Sequence, residues 1–172
     1  MFWKAFATAQ RGCVLALTGK ASDAVQTINT GITATVFYPF WLSHLAWAYA
    51  ELGQFDDARC CISETMTAIE TSKERWFEAE ANRIAGEIAL KSSEPDAAKA
   101  QVYFERALSV ARAQRAKSWE LRAATSMARL WLDQRKKGNA RELLAPVYGW
   151  FTEGFDTLDL KEAKALLDEL HG

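Results

Sequence analysis

GQFDDARCCI at 53–62 and GKASDAVQTI at 19–28 share a glycine, an alanine five residues on and an isoleucine four beyond that. Ala24 and Ala58 therefore stand 34 residues apart. Ahead of each glycine lies a run rich in small residues, with Gly12 and Leu15 in the first and Ala46 and Tyr49 in the second, again 34 apart. The pattern returns twice with changed spacing. Gly86 and Ala89 precede Ala100, Phe104 and Ala107, with SSEP at 92–95 between them, and Ala128 and Trp131 precede Ala140, Leu144 and Val147. From Ala58 the alanine steps lengthen to 42 and 40. A small residue at a fixed place on each of two helices lets their axes cross closely, and larger neighbours such as Tyr49, Trp131 and Phe104 fill the flanking space. Gly86 belongs at such a crossing, where Gly86→Leu would overpack the contact and Gly86→Ala is expected to be mild or stabilising through helix propensity.

A period of 34 residues is that of the tetratricopeptide (TPR) repeat, and four units in register resemble an array of that kind. The expected fold is all-α: a right-handed superhelical TPR-like array of helix-turn-helix repeats closed by a C-terminal capping helix. The chain reads as a single domain, 1–172, with repeats at about 2–36, 39–71, 73–114 and 117–150 and the cap at 158–170. Helices are predicted at 2–17, 21–36, 39–52, 55–71, 73–91, 95–114, 117–135, 138–150 and 158–170. Leu160, Ala163, Leu167 and Leu170 give the last helix one apolar face opposite charged residues, the pattern of a cap. Tyr148, Trp150, Phe151 and Phe155 just before it read as packing between array and cap rather than as a ligand pocket.

Composition narrows the function classes. With 172 residues the chain can bury a real core, and 21 basic against 22 acidic residues give no global pull toward nucleic acid or an anionic membrane. Residues 24–50 carry no charge, but Gln26, Asn29, Ser43, His44 and several threonines interrupt the run and Pro39 splits it, so it reads as two buried helices and not a membrane span. MFWKAFATAQRG has neither the apolar core nor the cleavage site of a signal peptide. Cys13, Cys60 and Cys61 show no metal-ligand spacing, and adjacent cysteines on a helix point about 100° apart, which opposes a disulfide. Their odd count suits a reducing cytoplasm, and His44 and His171 are too far apart in sequence to suggest a zinc set. Neither a cofactor nor a metal is expected.

Three stretches carry a closer resemblance: ERWFEAEANRIAGEIAL at 74–90, FERALSVARAQRAKSWELRAATSMARLWLDQ at 104–134 and LLAPVYGWFTEGFDTLDLKEAKALLDEL at 143–170. They resemble the C-terminal TPR-like region of large bacterial signalling proteins that combine an adenylate/guanylate cyclase domain with an AAA-type (STAND-like) ATPase domain. The resemblance implies a sensing or scaffolding role in cyclic-nucleotide signalling, for a piece of such a protein or a stand-alone chain descended from its tail. It implies no catalysis here, because the sequence has no GxxxxGK[ST] loop. The turn Arg135-Lys136-Lys137 departs from the glycine-containing turn expected there.

Carrying the TPR consensus face over residue by residue assigns a partner-binding concave side to Trp47, to Glu80, Arg83, Glu87 and Lys91, and to Arg122, Thr125, Arg129 and Asp133. Arg83, Arg122 and Arg129 suit a clamp on an acidic peptide or terminal carboxylate. The competing reading is that they pair with Glu80, Glu87 and Asp133 and rivet the array. The cluster Arg135, Lys136, Lys137 and Arg141 lacks interleaved aromatics and reads as a solvated loop, and Ser126 has no base beside it. Phe2, Trp3 and Phe6 lie on a first helix with no earlier repeat to cover it, so self-association there, or burial by an upstream domain, is expected. Two functions remain open: a protein or peptide interaction module, and a regulatory domain with a small molecule in its groove.

Overall fold

The computed structural model describes residues 2–32 and 38–171, with Phe2 described by its backbone alone. The described residues form nine α-helices and no strand: α1 (Phe2–Leu17), α2 (Ala21–Gly31), α3 (Tyr38–Glu51), α4 (Phe55–Ser72), α5 (Glu78–Lys91), α6 (Ala97–Gln114), α7 (Lys117–Asp133), α8 (Lys137–Tyr148) and α9 (Leu158–His171). They pair as four hairpins, α1–α2 to α7–α8. Each first helix packs on its own second helix and on the first helix of the next hairpin, whereas the backbones of the second helices α2, α4, α6 and α8 do not approach one another closely among the described residues. α9 packs on α7 and α8, where a further first helix would stand. This arrangement is compatible with an α-solenoid.

The repeat register holds at its crossings. Ala24, Ala58, Ala100 and Ala140 are all 0% exposed. The turn inside the first, second and fourth hairpins is closed by the same backbone bond: Lys20, Gln54 and Lys136 donate to the carbonyls of Leu15, Tyr49 and Trp131 at 2.9, 2.9 and 2.8 Å. Gly19 and Gly53 supply the left-handed residue these turns require, at φ 76° and 75°. Arg135 takes the same role at φ 60°, so the basic turn keeps the geometry without its glycine. In the third hairpin the stretched segment 92–96 reaches across, with Asp96 N–H donating to Ala89 O at 3.1 Å and the Asp96 carboxylate capping α6 at Lys99 N, 2.8 Å away.

Some expectations need correcting. The helix expected at 21–36 ends at Gly31, with Ile32 in a turn and 33–36 outside the described residues. The helix expected from 73 begins at Glu78, because Lys73 adopts a left-handed conformation (φ 62°) that terminates α4 and leads into a turn. Of the four aromatics, Tyr148 and Phe151 pack against the C-terminal core as expected. Trp150 and Phe155 are about half-exposed and pack on these two rings, Trp150 edge-on to Phe151 and Phe155 tilted against Tyr148. The cap buries Leu160, Ala163, Leu167 and Leu170 as read, and Leu166 with them.

Gly86 does lie at a crossing, but a tighter one than helix propensity alone suggests. An added Cβ would stand 2.7 Å from Cδ1 and 2.9 Å from Cζ of Phe104, a ring with no exposed surface, so the ring or one of the two helices must shift. Gly86→Ala is therefore expected to destabilise, by about 1–3 kcal/mol, despite alanine's better propensity. The urea midpoint checks this, and an unchanged or raised midpoint contradicts it. Gly31, which repeat spacing did not single out, is closer still to backbone: a Cβ there would sit 2.8 Å from Ala9 Cα and 2.9 Å from Ala5 O.

Candidate functional site

First helices α3, α5 and α7, with α9 beside them, place the expected concave residues on one continuous face. At its centre Glu80, only 3% exposed, receives Arg83 Nε and Nη2 at 2.9 and 2.8 Å from its own helix and Arg122 Nη2 at 2.8 Å from α7. Arg83 also reaches Glu87 at 3.3 Å, and Ser126 Oγ on α7 donates to that carboxylate at 2.5 Å. Burial alone would lower the pKa of the Arg83 guanidinium, but Glu80 and Glu87 outweigh it and hold the value above the ordinary one, so the charge persists.

The network continues in both directions. Toward α3, Lys91 pairs with Glu51 at 2.6 Å and lies 5.2 Å over the Trp47 ring. Toward α9, Arg122 lies 3.8 Å from Asp159 and Arg129 pairs with Glu162 at 2.8 Å. Arg122 also sits 5.6 Å over Trp119. Thr125 is buried and donates to Leu121 O at 2.8 Å, so it supports its own helix. Asp133 is exposed at the end of α7 and forms none of these ion pairs; the acid that takes Arg129 is Glu162 of the cap. The structure thus gathers eight of the nine residues along one face, with all three arginines already holding carboxylates of this chain.

His44, which sequence alone left without a role, lies under the same face. Its Nδ1 is 2.8 Å from Phe40 O, an arrangement in which Nδ1–H donates, and its ring lies against Phe40 and Phe77. Burial lowers its pKa and keeps the imidazole neutral at pH 7. Burial likewise pushes the Cys13 thiol up to about 12 and Cys61 up to about 11, so neither is a reactive thiolate at neutral pH. Among the described residues no cluster of His, Cys, Asp or Glu could hold a metal ion, and no helix is long and apolar enough to cross a membrane. Arg135, Lys136, Lys137 and Arg141 are exposed at the α7–α8 turn.

On the opposite side the structure reveals a site that the sequence reading missed. Because the backbones of α4 and α6 stand apart, a groove of about 910 Å³ opens between them above α5. Ile62, Met66, Ala85, Ile88 and Tyr103 contribute apolar lining, and the stretched turn at 92–96 forms part of one wall. The available signal was the 42-residue step between Ala58 and Ala100, which placed extra chain there without showing the gap it would border.

At the N-terminal end the expected self-association residues separate. Phe6 turns inward onto Trp41, ring centroids 5.7 Å apart, so it belongs to the core. Trp3 is 77% exposed, and the side chain of Phe2 lies outside the described residues. Val14 and Leu17, unnoticed in the sequence, are exposed too. The residue 34 beyond Val14 is Ala48, fully buried with Ala16, Ala21 and Ala24 of the preceding hairpin, so in the next repeat this face is covered by helices. Compared with known proteins, the chain matches no protein-family model and no curated protein.

Proposed function

We propose that this chain is a non-catalytic, TPR-like protein-interaction module, its hairpins wound in a right-handed superhelix, that serves as a scaffold in a cytoplasmic bacterial signalling protein of the cyclase type. The signalling context rests on the sequence resemblance. The interaction role rests on one structural contrast: the first-helix face is closed by its own ion pairs, while the second-helix side keeps an open groove of about 910 Å³ whose lining mixes polar side chains with the partly exposed Met66, Ala89 and Tyr103. A groove between two helices above a third suits an amphipathic helix, which lays its apolar face in and leaves its charges at the rim.

A second reading, a small-molecule sensor, draws on the same groove, whose volume lies within the range of ligand pockets. Thermal shift separates the two. Synthetic three-turn amphipathic peptides are expected to raise the melting temperature, and a metabolite panel including cyclic nucleotides to leave it unchanged. Ser63→Lys with Thr67→Lys, two exposed groove positions on α4, is expected to remove the peptide effect. A metabolite shift lost in the same variant favours the sensor. A peptide shift that survives it moves the site elsewhere.

A further inference from the structure

We propose that the occupant of the α4–α6 groove is α1 of a second copy of this chain, in a contact that joins two different faces. This rests on the interaction-module reading and names its partner. α1 offers the matching helix. Trp3, Val14 and Leu17 are its exposed large apolar residues, and at 100° per residue they fall within one narrow stripe together with Ala7 and Gln10. Trp3 to Leu17 spans about 21 Å at 1.5 Å per residue, and the groove follows α4 from Arg59 to Glu70 for about 16 Å, so roughly three turns can seat.

Charge selects this pairing over the simpler ones. α1 contains Lys4 and Arg11 and no carboxylate, and both cations lie on one flank of the apolar stripe. Two α1 helices packed face to face would bring like charges together with nothing on either helix to offset them. The exposed outer side of α9, the other end of the array, is polar, with Lys161, Lys164, Asp168 and Glu169. The groove rim carries Glu70, Glu94 and Asp96 against Arg59 and Lys99; with Arg59 bridged to Asp56 and Asp96 capping α6, Glu70 and Glu94 are its acids left to meet a cation. A basic-flanked helix in an acidic-rimmed groove satisfies both surfaces. Because the two faces differ, a joined pair still presents one α1 face and one groove, and association is open-ended unless a ring closes.

Complementation tests this with the full chain. Wild type is expected to grow in mass with concentration in sedimentation velocity, and to shift back toward monomer as salt rises. Val14→Lys with Leu17→Lys, and separately Glu70→Lys with Glu94→Lys, change only exposed positions, so circular dichroism should match wild type. Each variant alone is expected to be monomeric. Mixed, they should form a 1:1 pair and stop there, since one working α1 meets one working groove. A wild type that stays monomeric overturns the proposal, as does a mixture that stays monomeric. A groove variant that associates as well as wild type overturns it too, and points to α1–α1 contact. If copies do not associate but amphipathic peptides still shift the melting temperature through the groove, the module reading stands and only its partner is wrong.

Discussion

Removing residues 156–172 is expected to unfold at least the α7–α8 hairpin and to leave a chain that melts far below the intact one. The deleted segment contains α9, whose Leu160, Leu166, Leu167 and Leu170 are all buried in one cluster with Leu144, Val147, Ala124 and Met127. Four leucines at about 1.5–3 kcal/mol each amount to a loss comparable to the whole stability of an ordinary domain, about 5–15 kcal/mol. Two ion pairs leave with them, since Asp159 and Glu162 hold Arg122 and Arg129. A repeat array transmits such a loss mainly to its nearest neighbour, so α7 and α8 should unravel first, while α1–α4, which make no contact with α9, hold longer. Circular dichroism should show helix lost beyond the deleted residues, and limited proteolysis should cut first within 117–148. A truncated chain that melts within a few degrees of the full one, with α7–α8 protected, would refute the capping role.

What the sequence made legible was whatever sterics impose at a fixed spacing. Ala24, Ala58, Ala100 and Ala140 are interchangeable in role because each occupies the same place in its hairpin, and all four are fully buried. Leu15, Tyr49 and Trp131 likewise mark one position, the carbonyl that closes the hairpin turn. Conformation that does not need its favoured residue was illegible, as at Arg135, where the turn geometry prevails over the preference for glycine. Gly86 was legible as a close contact, but not the ring that makes even a methyl too large. Long charged side chains were the least readable. Spacing placed Arg129 on one face with Arg122, but its acid comes from α9, 33 residues on, and Lys91 finds Glu51 on α3. Such partners depend on inter-helix packing, which a 34-residue pattern does not encode. Trp150 and Phe155 were legible only in part for a related reason: aromatic content indicates apolar surface, and only the path of the loop decides how much of it is covered.

Glu80→Leu is expected to cost about 3 kcal/mol, more than any single arginine change on the same face. The carboxylate is almost wholly buried and joins α5 to α7 by accepting from both Arg83 and Arg122. Removing one member of a buried charge cluster strands the others, which costs about 3–5 kcal/mol where no partner remains. Here Glu87 still reaches Arg83 and Asp159 lies near Arg122, which places the loss at the low end. Arg122→Ala should cost less, because that side chain is more exposed and Glu80 keeps Arg83. Arg83→Met combined with Glu80→Leu should regain much of the loss, since apolar residues of similar volume leave no buried charge unpaired at that pair. Urea midpoints of the wild type, Glu80→Leu, Arg83→Met and their double variant complete the cycle. A loss below about 1 kcal/mol for Glu80→Leu, with no coupling to Arg83, would mean that these ion pairs do not rivet the array. The arginines would then be available to hold an incoming carboxylate, and the first-helix face would replace the α4–α6 groove as the place to look for a partner.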